Sequence, residues 1–155
     1  MKLSAHFSLD EFCASDTACR RQIDNTLPAE LLNSAIDTAA MLERIRSALS
    51  AKAGREIPIR VTSGYRCPQL NALVGSAPTS DHMRGMAADF VAPDFGTPQQ
   101  VATFLASHVE DLGIGQLIAE FGQWTHCSTR RPDKEINRII TIDRTGTHPG
   151  IVSIA

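Results

Sequence analysis

The sequence predicts an α+β fold, with helices packed on a small, largely antiparallel sheet. Three observations carry this. One long stretch, Ala29 to about Ala51, repeats apolar residues at helical spacing. Three short strand-like segments crowd the second half of the chain, and tight turns join them. Helical patterns lie mostly before and between the strands, which suits segregated layers better than a parallel doubly wound sheet. At 155 residues the chain is expected to form a single domain over 1–155, large enough for its own core.

In chain order, Ser8-Leu9-Asp10-Glu11 places a capping serine three residues before an acid, so a short helix starts there. Pro28 precedes the long helix as a first-turn proline would. Apolar residues recur at helical spacing at Leu31, Leu32, Ala35, Ile36, Ala39, Leu42, Ile45 and Leu49, as expected of a packing helix, and Gly54 ends it. Ile57 to Thr62 reads as a strand entering the Ser63-Gly64 turn. A helix is expected from Pro68 to Val74 and another from Thr97-Pro98 to about Val109. Strands are expected at Gly115–Glu120, Trp124–Ser128 and Asn137–Ile142. Between them, Met86 to Ala92 is a short apolar run interrupted by Asp89 and closed by Pro93.

Composition narrows the function classes. A net charge of −2, without blocks of like charge, gives no electrostatic footprint for nucleic acid. No run approaches the roughly 18 apolar residues of a membrane span, and the first residues lack the apolar core of a secretory signal. Cytoplasmic synthesis and a monomer are expected. The four cysteines are scattered, and Cys13 and Cys19 sit farther apart than the close pair of a structural zinc site. All four are expected as reduced, small apolar side chains.

The chemistry concentrates in Ser80-Asp81-His82-Met83-Arg84-Gly85-Met86-Ala87-Ala88-Asp89 and Trp124-Thr125-His126. Two imidazoles and a carboxylate are the donors of a catalytic zinc, which takes three protein ligands and leaves a fourth position open. On one helix, His82 and Asp89 would stand about 10.5 Å apart along the axis, at about 1.5 Å per residue. One ion with bonds of roughly 2 Å could not reach both. The segment must fold back, and Gly85 is the residue able to take the required dihedrals. Asp89, inside an apolar strand, needs a cation or a basic partner. A metal satisfies it, and so would Arg84 or backbone amides. Cys127 adjoins His126, but strand alternation sends it to the opposite face.

Ser63-Gly64-Tyr65-Arg66-Cys67-Pro68-Gln69-Leu70-Asn71, Ser80-x-His82-x-x-Gly85-x-Ala87-x-Asp89 and Trp124-x-His126, in this order, resemble the motifs of zinc peptidases that cleave bacterial cell-wall peptides. That family includes D-alanyl-D-alanine carboxypeptidases, vancomycin-resistance D,D-dipeptidases and phage L-alanyl-D-glutamate endolysins. Phe7 to Phe12 and Ile23-Asp24-Asn25 resemble its carboxypeptidase-like branch, common in phages and prophages. The resemblance covers about residues 6–143. It implies one Zn2+ held by His82, Asp89 and His126, and Arg66 as the group that stabilises charge on the attacked carbonyl. A surface salt bridge is the plainer role for Arg66. Ser80 is either a contact to the substrate peptide or a cap. Tyr65 and Trp124 flank these residues and could wall a substrate cleft; a core position is the alternative for Trp124.

The general base departs from some relatives. Dipeptidases and endolysins of this kind place an acid three residues before the last histidine, where this chain has Gln123. The resemblance to the carboxypeptidase-like branch points instead to Glu120. Paired residues of a hairpin share a face. A Phe121-Gly122-Gln123 loop would pair Glu120 with Trp124 and Ile118 with His126, so that Glu120 and His126 face the same way. A two-residue loop would split them. The longer or a bulged turn is therefore expected.

His6, His108 and His148 lie outside the motifs and are expected in surface or capping roles. Arg130-Arg131-Pro132-Asp133-Lys134 reads as a solvated turn. The resemblance implies peptidoglycan stem peptides as partners, with either a phage lysis system or a phage particle as the route to the wall. A non-catalytic, zinc-stabilised wall-binding or phage structural module on the same fold is the competing expectation.

Overall fold

The long helix Leu32–Ala53 shows why the sequence folds as it does. Its buried side chains, Ala35, Thr38, Ala39, Met41, Leu42, Ile45 and Leu49, recur at three- and four-residue steps along one face. A 3-10 turn over Ala29–Leu31 leads into it, with Pro28 just outside. Gly54, at φ +70°, terminates it in the left-handed conformation. The computed structural model describes residues 1–154.

Numbered along the chain, the helices are α1 (Leu9–Cys13), α2 (Asp16–Arg21), α3 (Leu32–Ala53), α4 (Pro68–Leu73) and α5 (Pro98–Ala106). The strands are β1 (Arg60–Ser63), β2 (Ala87–Val91), β3 (Gln116–Glu120), β4 (Trp124–Ser128), β5 (Ile139–Asp143) and β6 (Gly146–Pro149). They form one six-stranded sheet in the order β1-β2-β4-β3-β5-β6. Every pairing is antiparallel except β3 with β5. The fold is α+β with a largely antiparallel sheet, as the sequence predicts.

Alternation along β2, β3 and β4 divides the sheet into two unlike faces. Ala88, Phe90, Leu117 and Cys127 point into a core shared with Leu42, Ile45 and Leu49 of α3 and Val101 and Leu105 of α5. Cys127 is fully buried there, and its thiol pKa is pushed up by desolvation. Asp89, Ile118, Glu120, Trp124 and His126 project from the opposite face. One face thus supplies cohesion and leaves the other for chemistry.

Several expectations are corrected. α2 was not anticipated: Asp16–Arg21 has no apolar period, and its main signal is the Ser15 side chain, which accepts from the Ala18 N–H. β6 was also missed, because a short edge strand ending in proline has no alternation to read. β1 begins at Arg60 although Ile57 and Ile59 are buried; Pro58 has no N–H to give a ladder. Glu135–Asn137 is a 3-10 turn, so β5 starts at Ile139, and α5 stops at Ala106. All four cysteines are free, but Cys19 is exposed rather than packed.

Candidate metal centre

His82 stands on a 3-10 turn, Asp81–Arg84, that leads into β2. The Ser80 hydroxyl caps this turn by accepting from the His82 N–H at 3.3 Å, which favours the capping role for that serine. Gly85 closes the turn at φ +67°, a conformation that side-chain-bearing residues rarely adopt. Its carbonyl accepts from the Thr38 hydroxyl of α3 at 2.8 Å. The chain thereby reverses between His82 and Asp89, as their separation in sequence requires.

Strand register supplies the rest. Asp89 on β2 is paired with His126 on β4, so their side chains share a face at close range. His126 Nδ1 lies 2.8 Å from Asp89 Oδ1. His82 Nε2 lies 3.3 Å from Asp89 Oδ1 and 3.3 Å from His126 Nδ1. Donors bound to one tetrahedral zinc at roughly 2 Å stand about 3.3 Å from one another. The three atoms fit such an ion, with the aspartate–histidine pair drawn somewhat closer. All three residues are buried.

The surroundings prepare these donors. His82 Nδ1 is 2.6 Å from the Gly64 carbonyl oxygen. A carbonyl can only accept, so Nδ1 carries the proton and Nε2 turns a lone pair toward the cluster. Burial holds the His82 pKa below the ordinary histidine value despite the nearby Asp89 charge. Burial works to raise Asp89, but the charges and hydrogen bonds of both imidazoles hold it well below the usual carboxylate range. Burial opposes charge on His126, yet the hydrogen bond to Asp89 and that carboxylate's charge lift its pKa. The ionised carboxylate and the neutral His82 have the protonation a metal needs, whereas His126 Nδ1 must give up the proton it shares with Asp89 for an ion to bind.

Arg66 faces the other carboxylate oxygen, with Nη2 3.6 Å from Asp89 Oδ2, and its side chain is 14% exposed. Its Nε has no hydrogen-bond partner among the described residues, so the guanidinium holds donor capacity in reserve. Asn25 positions the loop that bears it. The Asn25 amide donates to the carbonyls of Cys13 and Tyr65, both at 2.9 Å, and accepts from the Cys67 N–H at 2.7 Å. The Arg66 N–H donates to the His82 carbonyl at 3.2 Å. Tyr65 itself is 4% exposed and belongs to the core. This corrects the expectation that it walls a cleft: its N–H is tied to the Phe12 carbonyl, and the ring packs inward.

Glu120 pairs with Trp124, and Ile118 with His126, across a Phe121-Gly122-Gln123 loop. The longer turn is formed, and Glu120 shares the face of His126. Burial and the charge of Asp89 push the Glu120 carboxyl above the usual range, while His126, Trp124 and Arg66 pull it back. Trp124 is half-buried on this face. Its indole N–H points toward the Glu120 carboxylate without making a full hydrogen bond.

One network escaped the sequence reading. Asp81, 6% exposed, accepts from Ser128 Oγ at 2.7 Å and from Arg130 Nε at 2.6 Å. It ties the turn carrying His82 to the end of the strand carrying His126. Arg130 is accordingly half-buried and paired rather than solvated, because a buried carboxylate requires a counter-ion. The signal available in the sequence was a second acid beside His82 with no ligand role. His6 pairs with Glu43 and His148 with the buried Asp143, and His108 bonds the Phe104 carbonyl.

Among the described residues, no helix is long and apolar enough to cross a membrane. No curated protein matches the chain. A family model described as Peptidase M15 matches residues 5–128, a span that contains the three candidate ligands, Arg66 and Glu120. With that match over most of its length, the chain belongs to the M15 family of D-Ala-D-Ala carboxypeptidase-like zinc peptidases.

Proposed function

We propose that this protein is a zinc metallopeptidase hydrolysing peptide bonds in bacterial cell-wall peptides, as a D-Ala-D-Ala carboxypeptidase or as an endolysin-type endopeptidase. The observation that carries the reading is the convergence of His82, Asp89 and His126 on the face that also bears Arg66 and Glu120. Two imidazoles and one carboxylate from three segments suit zinc and leave a coordination position for a non-protein ligand.

Zinc bound there would supply Lewis acidity, lowering the pKa of water to about 7. Glu120 takes the proton of the attacking water and passes it to the leaving amine nitrogen. Burial and the charge of Asp89 raise its proton affinity, the direction that accepting a proton from water requires. Arg66 presents fixed donors to the oxygen that becomes negative as the carbonyl turns tetrahedral. Gly64 orients His82, and Asp81 ties the turn of His82 to the end of the strand that carries His126. Peptidoglycan stem peptides are the partners, and the active unit is a monomer.

The test is incubation of purified muropeptides with the protein after zinc removal and after zinc return, with products identified by mass. Zinc-dependent release of D-alanine supports the carboxypeptidase, and release of larger fragments the endopeptidase. Stoichiometric zinc binding without any cleavage would overturn the enzymatic reading in favour of a binding module.

A further inference from the structure

Phe121 occupies a backbone position that the fold alone disfavours. Its φ is +52°, and Gly122 follows at +65°. The Gln123 N–H donates to the Glu120 carbonyl at 3.0 Å. Two successive positive-φ residues closed by that bond have the pattern of a type I′ turn, whose first central position favours asparagine or glycine. A bulky side chain there is strained. Burial does not offset the strain, because Phe121 is 47% exposed.

What the ring does meet is Trp124, at a centroid distance of 5.8 Å and an interplanar angle of 54°. Trp124 is the cross-strand partner of Glu120, so its indole stands on the face of the candidate ligands. Phe121 extends that aromatic surface beyond the carboxylate, at the hairpin end of the site. Its own N–H donates to the Ile142 carbonyl at 2.8 Å, which fixes the turn against β5. The site therefore has polar groups, Arg66 and Glu120, bordered by a held aromatic edge.

We propose that Phe121 determines specificity in the peptidase site: with Trp124 it forms an apolar lip receiving the aliphatic side chain of a residue flanking the scissile bond. The inference rests on the peptidase reading above. Polar groups of the peptide backbone face Arg66 and Glu120, and the two rings offer the apolar surface beside them. A methyl group settled on such a surface is distinguished from hydrogen by about tenfold.

The experiment uses two wall peptides that differ only in alanine or glycine beside the scissile bond. Wild type, Phe121→Asn and Phe121→Tyr, each zinc-loaded, are assayed for kcat and KM. Wild type should favour the alanine peptide by about tenfold in kcat/KM, and Phe121→Asn should reduce that preference to about twofold. Phe121→Tyr should restore it. Phe121→Asn should also raise the thermal midpoint, since asparagine suits the turn. Trp124, the single tryptophan, should report alanine-peptide binding by fluorescence, more weakly in Phe121→Asn. An unchanged alanine-to-glycine ratio in an active Phe121→Asn overturns the inference and leaves the peptidase reading standing. Absence of zinc-dependent cleavage of either peptide by wild type overturns that reading and the inference with it.

Discussion

His82 Nδ1 and the Gly64 carbonyl oxygen are 2.6 Å apart, and this contact sets which imidazole nitrogen faces the candidate metal centre. Gly64 can serve because it has no side chain: a Cβ there would come within 2.3 Å of the Phe12 carbonyl oxygen and 2.6 Å of the Phe12 ring. The N-terminal helix α1 is thereby pressed against the loop that orients a metal ligand.

Gly64→Ala must push that loop or α1 aside. Overpacking of this kind costs about 1–3 kcal/mol, and losing the orienting partner of a ligating histidine costs about 10–100-fold in metal affinity. Urea denaturation and competition with a zinc chelator should register both losses.

Asp81→Ala should weaken zinc binding by a similar factor, about 10–100-fold, because the His82 turn would lose its ties to Ser128 and Arg130. The Ser128 hydroxyl, fully buried, would lose its acceptor, which adds about 1–3 kcal/mol to the cost in fold stability, while the part-exposed Arg130 left behind is rehydrated. Arg130→Ala should do less, since its side chain is 39% exposed and water can replace it. Zinc affinities of the two variants, measured side by side, check this ranking.

Glu120→Gln should lower kcat by about 10²–10⁴ while zinc affinity holds, since the residue is assigned proton transfer and no ligand role. Arg66→Ala should raise the barrier by about 3 kcal/mol. Arg66→Lys should recover little, because an ammonium cannot reproduce the planar fork of donors. Steady-state kinetics with zinc occupancy measured in each sample separates the two roles.

Glu43 gives a pH dependence away from the site. Burial works to raise its pKa, but bonds from the Ser4 hydroxyl and the His6 N–H, both at 2.7 Å, and from the His6 ring outweigh it, and the carboxyl is lowered. A carboxylate held lower in the folded chain than in the unfolded one stabilises the fold above the unfolded pKa. That contribution fades as pH falls through the folded value. Glu43→Gln should therefore cost about 1 kcal/mol at neutral pH, and the gap to wild type should close on acidification below the ordinary glutamate range. Denaturation at a series of pH values checks the sign.

The sheet, the long helix and the chemical face were legible because each rests on local pattern. The α3 stripe is a period, and the hairpin register follows from the shared face that the family resemblance requires of Glu120 and His126. The fold-back at Gly85 followed from distance alone. What was not legible depends on tertiary partners. Asp81 looks like any acid near a histidine until Ser128 and Arg130 arrive from β4. Tyr65 looks like a cleft residue until Phe12 captures its backbone. Phe121 looks like an ordinary loop aromatic, because a positive φ at a non-glycine residue leaves no trace in composition.

The central claim is that His82, Asp89 and His126 hold one zinc ion. Anomalous diffraction at the zinc edge, from crystals of protein supplied with stoichiometric zinc, tests it most directly. One peak bonded to His82 Nε2, Asp89 Oδ1 and His126 Nδ1 is the predicted result. A peak elsewhere, or none at this cluster, would contradict it.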